Sequence, residues 1–102
     1  MVAMTHRERQ YRMDLYAVIQ ASVAANGGAS VVGGRCGMRA QKVSLLGATH
    51  LPSLRVLLRV ATACNTTPAA WLAEAERRSW RYDVWDELSP FFGRFAGDDF
   101  GA

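Results

Sequence analysis

The fold of this chain is decided by residues 52–72, PSLRVLLRVATACNTTPAAWL. Apolar residues fall at positions 54, 57, 58 and 61, which is the spacing of a helix with one buried face. A short Asn/Thr loop follows. Thr67 and Pro68 then favour the start of another helix, because a hydroxyl caps free N–H groups and proline has none to lose. The segment predicts two consecutive helices, the first packed through 54, 57, 58 and 61.

A longer helix is predicted near the start of the chain. Thr5 and Glu8 have the spacing of a capping box, in which each side chain binds the other residue's backbone N–H. We expect the helix to cover residues 6–25 and to end at Asn-Gly-Gly 26–28, since these residues accept the left-handed backbone of a helix end. Its apolar stripe consists of Tyr11, Leu15, Val18, Ile19 and Val23.

Residues 29–48 give the weakest pattern. Residues 29–37, ASVVGGRCG, hold four β-tolerant residues and then two glycines. A short strand and turn fits them locally, because each glycine inside a helix costs about 0.8–1.0 kcal/mol relative to alanine. In the following segment, Met38, Val43 and Leu46 form a plausible inner face.

The C-terminal part of the chain is rich in aromatic residues. Residues 69–78 predict a helix with Leu72 and Ala75 inward, and a second amphipathic segment continues towards Pro90, which ends or kinks it. This organisation gives a helix domain over 1–78 and an aromatic, acidic extension over 79–102, whose last residues we expect to be flexible. Candidate residues for a homodimer interface, or for the recognition of a different protein, are Trp80, Trp85, Leu88, Phe91 and Phe92.

The charge distribution is asymmetric along the 102 residues. Residues 1–59 hold eight Lys/Arg and two Asp/Glu, a net charge of +6, whereas residues 60–102 hold four Arg and seven Asp/Glu, a net charge of −3. A basic front half suits an anionic partner such as DNA. An ordinary solvated helical surface could carry the same excess of basic over acidic residues.

Several classes of protein are disfavoured by the sequence. No run reaches the roughly 20 apolar residues of a membrane span, and charged residues interrupt the N-terminus where a signal peptide would be apolar, so we expect a cytoplasmic protein without membrane partners. Cys36 and Cys64 have neither a disulfide framework nor zinc-site spacing with His6 and His50. No catalytic grouping or phosphate loop is present. We therefore expect no enzyme activity, metal or cofactor.

The motifs around Gly37 and residues 52–72 resemble the phage-repressor/Cro-type, or lambda-repressor-like, helix-turn-helix family. A Pro-Ser-Leu segment opens the helix after that family's DNA-reading unit, as at 52–54, and a Thr/Ser-Pro segment opens the next, as at 67–68. Gly37 stands at the family's tight turn, with Val32 and the small Gly33 before it. Val43 and Leu46 take the two buried positions of the recognition helix.

The resemblance covers residues 10–72 and implies an all-α fold of five to six short helices. Its second helix is degenerate in this chain. Gly28 and Ala29 stand where family members carry a Ser or Thr cap followed by Gln, and Gly33 and Gly34 weaken the helix.

The resemblance also implies where double-stranded DNA would bind, because the N-terminal part of the recognition helix enters the major groove in such domains. The implied base-reading residues are Arg39, Ala40, Gln41, Lys42 and Ser44, with Leu45 available to a thymine methyl group. The implied phosphate contacts are Arg35, His50 and Arg55.

The function implied is that of a small phage or prokaryotic transcription regulator, a repressor that binds DNA in a sequence-specific way as a homodimer. The alternative is a protein-interaction module on a degenerate helix-turn-helix scaffold, such as an anti-activator, antitoxin or inhibitor. The acidic aromatic extension favours the alternative, whereas the basic front half and Gly37 favour DNA binding.

Overall fold

A computed structural model describes residues 5–79, and these residues form helices and connecting turns without a strand. The prediction of an all-α chain is confirmed over this range. The helices are α1 (His6–Ala25), α2 (Ala29–Cys36), α3 (Ala40–Ser44), α4 (Leu54–Ala63) and α5, which covers residues 68–79 of the described part.

α1 begins with the predicted capping box. The Thr5 hydroxyl accepts from the Glu8 backbone N–H at 3.1 Å, and the Glu8 carboxylate accepts from the Thr5 N–H at 3.1 Å. Two otherwise free donors are thereby satisfied. The helix ends at Ala25, as the sequence predicts.

The strand suggested by the local sequence at residues 29–37 is wrong, because most of this segment is α2. Tertiary packing outweighs the poor helix propensity of its glycines. Val32 is fully buried in the core and Gly33 is buried beside it. A helix places both on one face, whereas a strand would turn neighbouring residues to opposite sides.

Gly33 permits a backbone contact that no other residue would allow. A Cβ atom added to Gly33 would overlap the carbonyl oxygen of Met38, and a backbone oxygen cannot move aside as a flexible side chain can. Gly34, its neighbour, has nothing within 4 Å of the same position. The two adjacent glycines therefore have different roles, and Gly33 is the one that lets α2 approach the start of α3.

The turn between α2 and α3 depends on Gly37. Its backbone is left-handed, with φ 70° and ψ 32°, a conformation that glycine adopts without the steric cost of a Cβ atom. The Gly33 carbonyl accepts from the Met38 N–H at 2.9 Å across this turn. The predicted tight turn at Gly37 is confirmed.

One hydrophobic core joins the five helices. The predicted stripe of α1 supplies four buried residues, and the predicted inner positions Val32, Val43 and Leu46 are buried as well. The core consists of Leu15, Val18, Ile19, Val23, Val32, Val43, Leu46, Leu57, Val60, Ala61, Cys64, Trp71 and Ala75.

The predicted buried face of α4 is partly wrong. Leu57 and Ala61 are buried, but Leu54 is 68% exposed and Leu58 is 55% exposed. The buried face continues instead through Val60 and Cys64. Both stripes have helical spacing and share Leu57 and Ala61, and packing against α2 selects the second. Two leucines remain on the solvent side.

α5 begins as predicted, with the Thr67 hydroxyl accepting from the Ala70 N–H at 3.1 Å. Ala75 is buried, and Leu72 is half-buried. Trp71 is 3% exposed and belongs to the core. Ser79 is also buried, and its hydroxyl donates to the Asp14 carboxylate at 2.8 Å.

The rest of the aromatic extension lies outside the described residues, including the interface candidates Trp80, Trp85, Leu88, Phe91 and Phe92. A sixth helix and the extension's position therefore stay predictions. Between residues 5 and 79, no single helix has both the length and the apolar character needed to cross a bilayer. The pair α1 and α2 passes that test only when taken together, with an 89° bend between them.

Leu57→Ala tests which face of α4 is buried. It should lower the free energy of unfolding by about 2–5 kcal/mol, because it removes a core side chain and leaves a cavity. The matched control, Leu58→Ala, should change it by less than about 0.5 kcal/mol, since that side chain is exposed. Denaturant unfolding monitored by circular dichroism measures both. Equal losses in the two variants would contradict the packing described.

Gly33→Ala and Gly34→Ala test the close approach of α2 to the turn. Gly34→Ala should stabilise the protein by about 0.5–1 kcal/mol through helix propensity alone. Gly33→Ala should instead destabilise it by about 1–3 kcal/mol, because its methyl group would force the Met38 backbone away. Thermal melts of the two variants should shift in opposite directions, and a stabilising Gly33→Ala would refute the contact.

Candidate functional site

α3 turns a set of polar side chains to solvent. Of the predicted base-reading residues, Arg39, Gln41 and Lys42 are exposed, whereas Ala40 and Ser44 are half-buried. Arg39 is the N-cap of α3, in an extended backbone conformation. The helix thus offers a guanidinium, a carboxamide and an ammonium group on its outer side.

The inner side of α3 is fixed by the core. Val43 is fully buried, and Leu46 is buried just after the helix ends. Leu45 lies between them in sequence but is 57% exposed, so it belongs to the outer surface. This alternation agrees with the positions that the resemblance implies for Val43, Leu45 and Leu46.

Three polar side chains of α1 hold the end of α3 and the residues after it. The Gln20 amide donates to the Val43 carbonyl at 2.9 Å, and the Tyr16 hydroxyl donates to the Ser44 carbonyl at 3.1 Å. The Arg12 guanidinium donates to the carbonyls of residue 47, at 2.8 Å, and residue 48. We call Arg12, Tyr16 and Gln20 the α1 ladder.

The α1 ladder supplies what a short helix lacks. The last four carbonyls of any α-helix have no partner within it, and α3 has only five residues. The ladder residues lie four apart and so share one face of α1. These three residues were not among the predicted site residues, although a polar residue at every fourth position of α1 was a usable signal.

The three predicted phosphate contacts lie on three different elements. Arg35, near the end of α2, donates from Nη1 to the Ala63 carbonyl at 3.2 Å and so leans towards α4. His50 is exposed in the loop before α4, where its Nδ1 lies 3.1 Å from the Thr49 hydroxyl. Arg55 is exposed in the first turn of α4.

Arg59 is a further basic residue at the site that the predicted set did not include. Its Nη2 donates to the Cys36 carbonyl at 2.6 Å, and it lies 3.5 Å from where a Cβ of Gly37 would be. A cation therefore lies beside the turn that leads into α3. Its spacing of four from Arg55 was the available sequence signal.

The charge around α3 is of one sign. Residues 35–59 contain five cations and no Asp or Glu. The two acids that precede this segment within the described residues are engaged elsewhere: Glu8 caps α1, and Asp14 accepts from Ser79. On α5, Glu74 forms ion pairs with Arg77 and Arg78. Within residues 5–79 the candidate surface is therefore positive, because all four acidic side chains of that range lie on α1 and α5.

Within residues 5–79, the buried Cys64 and the half-buried Tyr11 have shifted pKa values, and neither lies on α3. Burial raises the pKa of the Cys64 thiol, and burial together with the nearby Glu76 raises the pKa of the Tyr11 hydroxyl. A thiol with a raised pKa stays protonated at neutral pH and is a poor nucleophile. Within residues 5–79, no three His, Cys, Asp or Glu side chains are grouped as metal ligands.

The arrangement suits an anionic ligand with hydrogen-bond acceptors. Guanidinium and ammonium groups bind phosphate oxygens, and a carboxamide both donates and accepts at a base edge. No family model, curated protein or solved structure matches the chain.

Tyr16→Phe tests whether the α1 ladder holds α3. It keeps the ring and removes only the hydroxyl that binds Ser44, so the free energy of unfolding should fall by about 0.5–1.5 kcal/mol. Amide hydrogen exchange at residues 43–48 should accelerate more than exchange in α4. Met13→Ala, on the exposed side of α1, is the control and should leave that exchange unchanged. Uniform acceleration across all helices would contradict the local role of the hydroxyl.

Proposed function

We propose that this chain is a sequence-specific DNA-binding regulator of transcription, a repressor that acts as a homodimer. Its helix-turn-helix would be α2, the turn at Gly37 and α3. The proposal goes beyond the all-helical architecture and combines it with the resemblance to the phage-repressor/Cro-type family.

The observation that carries the proposal is the outward set Arg39, Gln41 and Lys42 on a helix whose opposite side is anchored. Val43 is buried beneath it, and the α1 ladder binds its C-terminal carbonyls. Base recognition requires side chains held in a fixed orientation, because the donor and acceptor pattern of a base pair is read by geometry. A short helix fixed at its base meets this requirement.

Each outward residue has a matching chemical role. Gln41 can pair with adenine through two hydrogen bonds, and Arg39 or Lys42 can bind guanine or phosphate. Leu45, exposed just after α3, can contact a thymine methyl group. Arg55, and Arg59 beside the turn, add positive charge near the same surface.

The degenerate start of α2 still suits a phosphate. Gly28 caps this helix without any side-chain hydrogen bond, so no side chain of the cap occupies the first N–H groups. A helix N-terminus with available N–H groups attracts phosphate oxygens. The backbone can thus take over the contact for which the family uses a Ser or Thr side chain.

A homodimer is part of the proposal because one five-residue helix reads few base pairs. Two copies on adjacent half-sites about 34–36 Å apart would double the contacts and fix the symmetry of the operator. The aromatic residues after residue 79 are the candidates in the sequence for joining the two copies.

The second candidate function is protein interaction on the same scaffold. It is favoured by the exposed pair Leu54 and Leu58, which form an apolar strip on the solvent side of α4. Such a strip is more typical of a protein contact than of a DNA contact, because DNA interfaces are more polar and more positively charged.

Gln41→Ala tests the base-reading role of α3. On a cognate duplex selected from random sequences, binding should weaken by about 1–3 kcal/mol and preference should relax at one base pair. The melting temperature should hardly change, since Gln41 is exposed. Fluorescence anisotropy with labelled duplex measures the affinity, and repeated selection measures the preference.

Lys42→Ala tests the contribution of charge on α3, and Arg78→Ala is its matched control. Each variant removes one cation, from α3 and from α5 respectively. Lys42→Ala should lower the dependence of affinity on salt by about one counterion. Arg78→Ala should leave it nearly unchanged, because Arg78 already pairs with Glu74 on α5. An unchanged binding profile for Arg39→Ala combined with Gln41→Ala would remove α3 from the interface.

A further inference from the structure

An open groove of about 710 Å³ lies between the C-terminal ends of α2 and α4. Arg35 and Cys36 line it from α2, Leu58 and Arg59 line it from α4, and Asn65 closes one end. None of the lining residues between 5 and 79 is acidic. The groove therefore combines two positive charges with an apolar side chain, and none of its described lining residues belongs to α3.

The two arginines of the groove are held in place without being neutralised. Arg35 donates to the Ala63 carbonyl at 3.2 Å, and Arg59 donates to the Cys36 carbonyl at 2.6 Å. Each guanidinium has five N–H donors, so one such bond leaves most of its donors for a ligand. A carbonyl is also uncharged, so both positive charges persist and favour a carboxylate as ligand.

Leu58 adds an apolar contact that a simple anion would not use. Its side chain is 55% exposed, and Leu54 is 68% exposed one turn earlier on the same side of α4. A ligand that matches both features carries carboxylates next to large apolar side chains. This combination excludes a bare phosphate as the best fit and favours an acidic peptide segment.

The chain itself contains one segment of that chemistry outside the described residues. Residues 82–88, YDVWDEL, carry three acidic residues, no basic residue and the large side chains of Tyr82, Trp85 and Leu88. We propose that this segment binds in the groove, with its carboxylates at Arg35 and Arg59 and its apolar side chains against Leu58.

The length of chain is sufficient for this contact. The described part of α5 has 12 residues, which at 1.5 Å per residue is a length of about 18 Å. Seven residues beyond Ser79 can span about 23 Å when extended. An extended chain can therefore return over the length of α5 by about residue 85, so the C-terminal half of residues 82–88 can reach the groove of its own chain. The whole segment can reach the groove of a second copy.

Site-specific photo-crosslinking in the full chain tests the proposal without any DNA present, so its outcome is independent of the proposed function. The residue p-benzoylphenylalanine replaces Leu58, whose exposed position tolerates it, and a control chain carries it at Met13 on α1, which is 53% exposed. After illumination, mass spectrometry should find residues 82–88 cross-linked to position 58 at least about fivefold more than to position 13, as a specific site requires. Cross-links within one chain and between two chains both count as occupation by this segment.

Charge exchange then tests the two arginines. Arg35→Glu with Arg59→Glu should lower the cross-link yield at position 58 at least about fivefold, because like charges would face each other. Adding Asp83→Arg and Asp86→Arg to that chain should restore it. Circular dichroism confirms that the variants remain folded. The proposal is overturned if positions 58 and 13 give equal yields, or if charge reversal leaves the yield at position 58 unchanged in folded protein.

Discussion

The close contact between the backbones of Gly33 and Met38 is the constraint on which the described structure depends. It is possible only without a side chain at residue 33, and it brings the end of α2 against the start of α3. Gly37 then reverses the chain with a left-handed backbone. In this arrangement Val32 and Val43 both lie in the core. The polar residues on the opposite side of α3 are therefore exposed to solvent.

A second constraint follows from the first, because the helix placed in this way is too short to stabilise itself. Isolated helices shorter than about 12–15 residues are marginal in water. The α1 ladder replaces the missing internal hydrogen bonds with bonds from Gln20, Tyr16 and Arg12. The longest helix of the described fold, α1, thus supports the shortest one, α3. Arg12 takes part in these hydrogen bonds, although its charge suggests a surface role.

The helix ends and the tight turn could be predicted from the sequence, because each depends only on residues close together in the chain. The capping box of Thr5 and Glu8, the cap at Thr67 and the turn at Gly37 each follow from local chemistry. The helical state of α2 could not be obtained in this way, because its glycines favour other conformations and only the core around Val32 decides. The buried face of α4 also required tertiary information, since two apolar stripes overlap there. At the candidate site, the burial of Val43 and Leu46 and the exposure of Leu45 could be predicted from the sequence. The α1 ladder could not, because its hydrogen bonds join residues 23 to 36 positions apart and the sequence shows only the spacing of four between its members.

The central claim is that the outward side of α3 binds duplex DNA in a sequence-dependent way. It is tested most directly by selecting duplexes from a random library with the full chain, and then titrating the ¹⁵N-labelled protein with the selected duplex and with a scrambled duplex of the same composition. The account predicts an enriched motif, and amide shifts for the selected duplex that are largest at residues 39–45 and small on α5. Failure to enrich any motif, or equal shifts with both duplexes centred on α5, would contradict it.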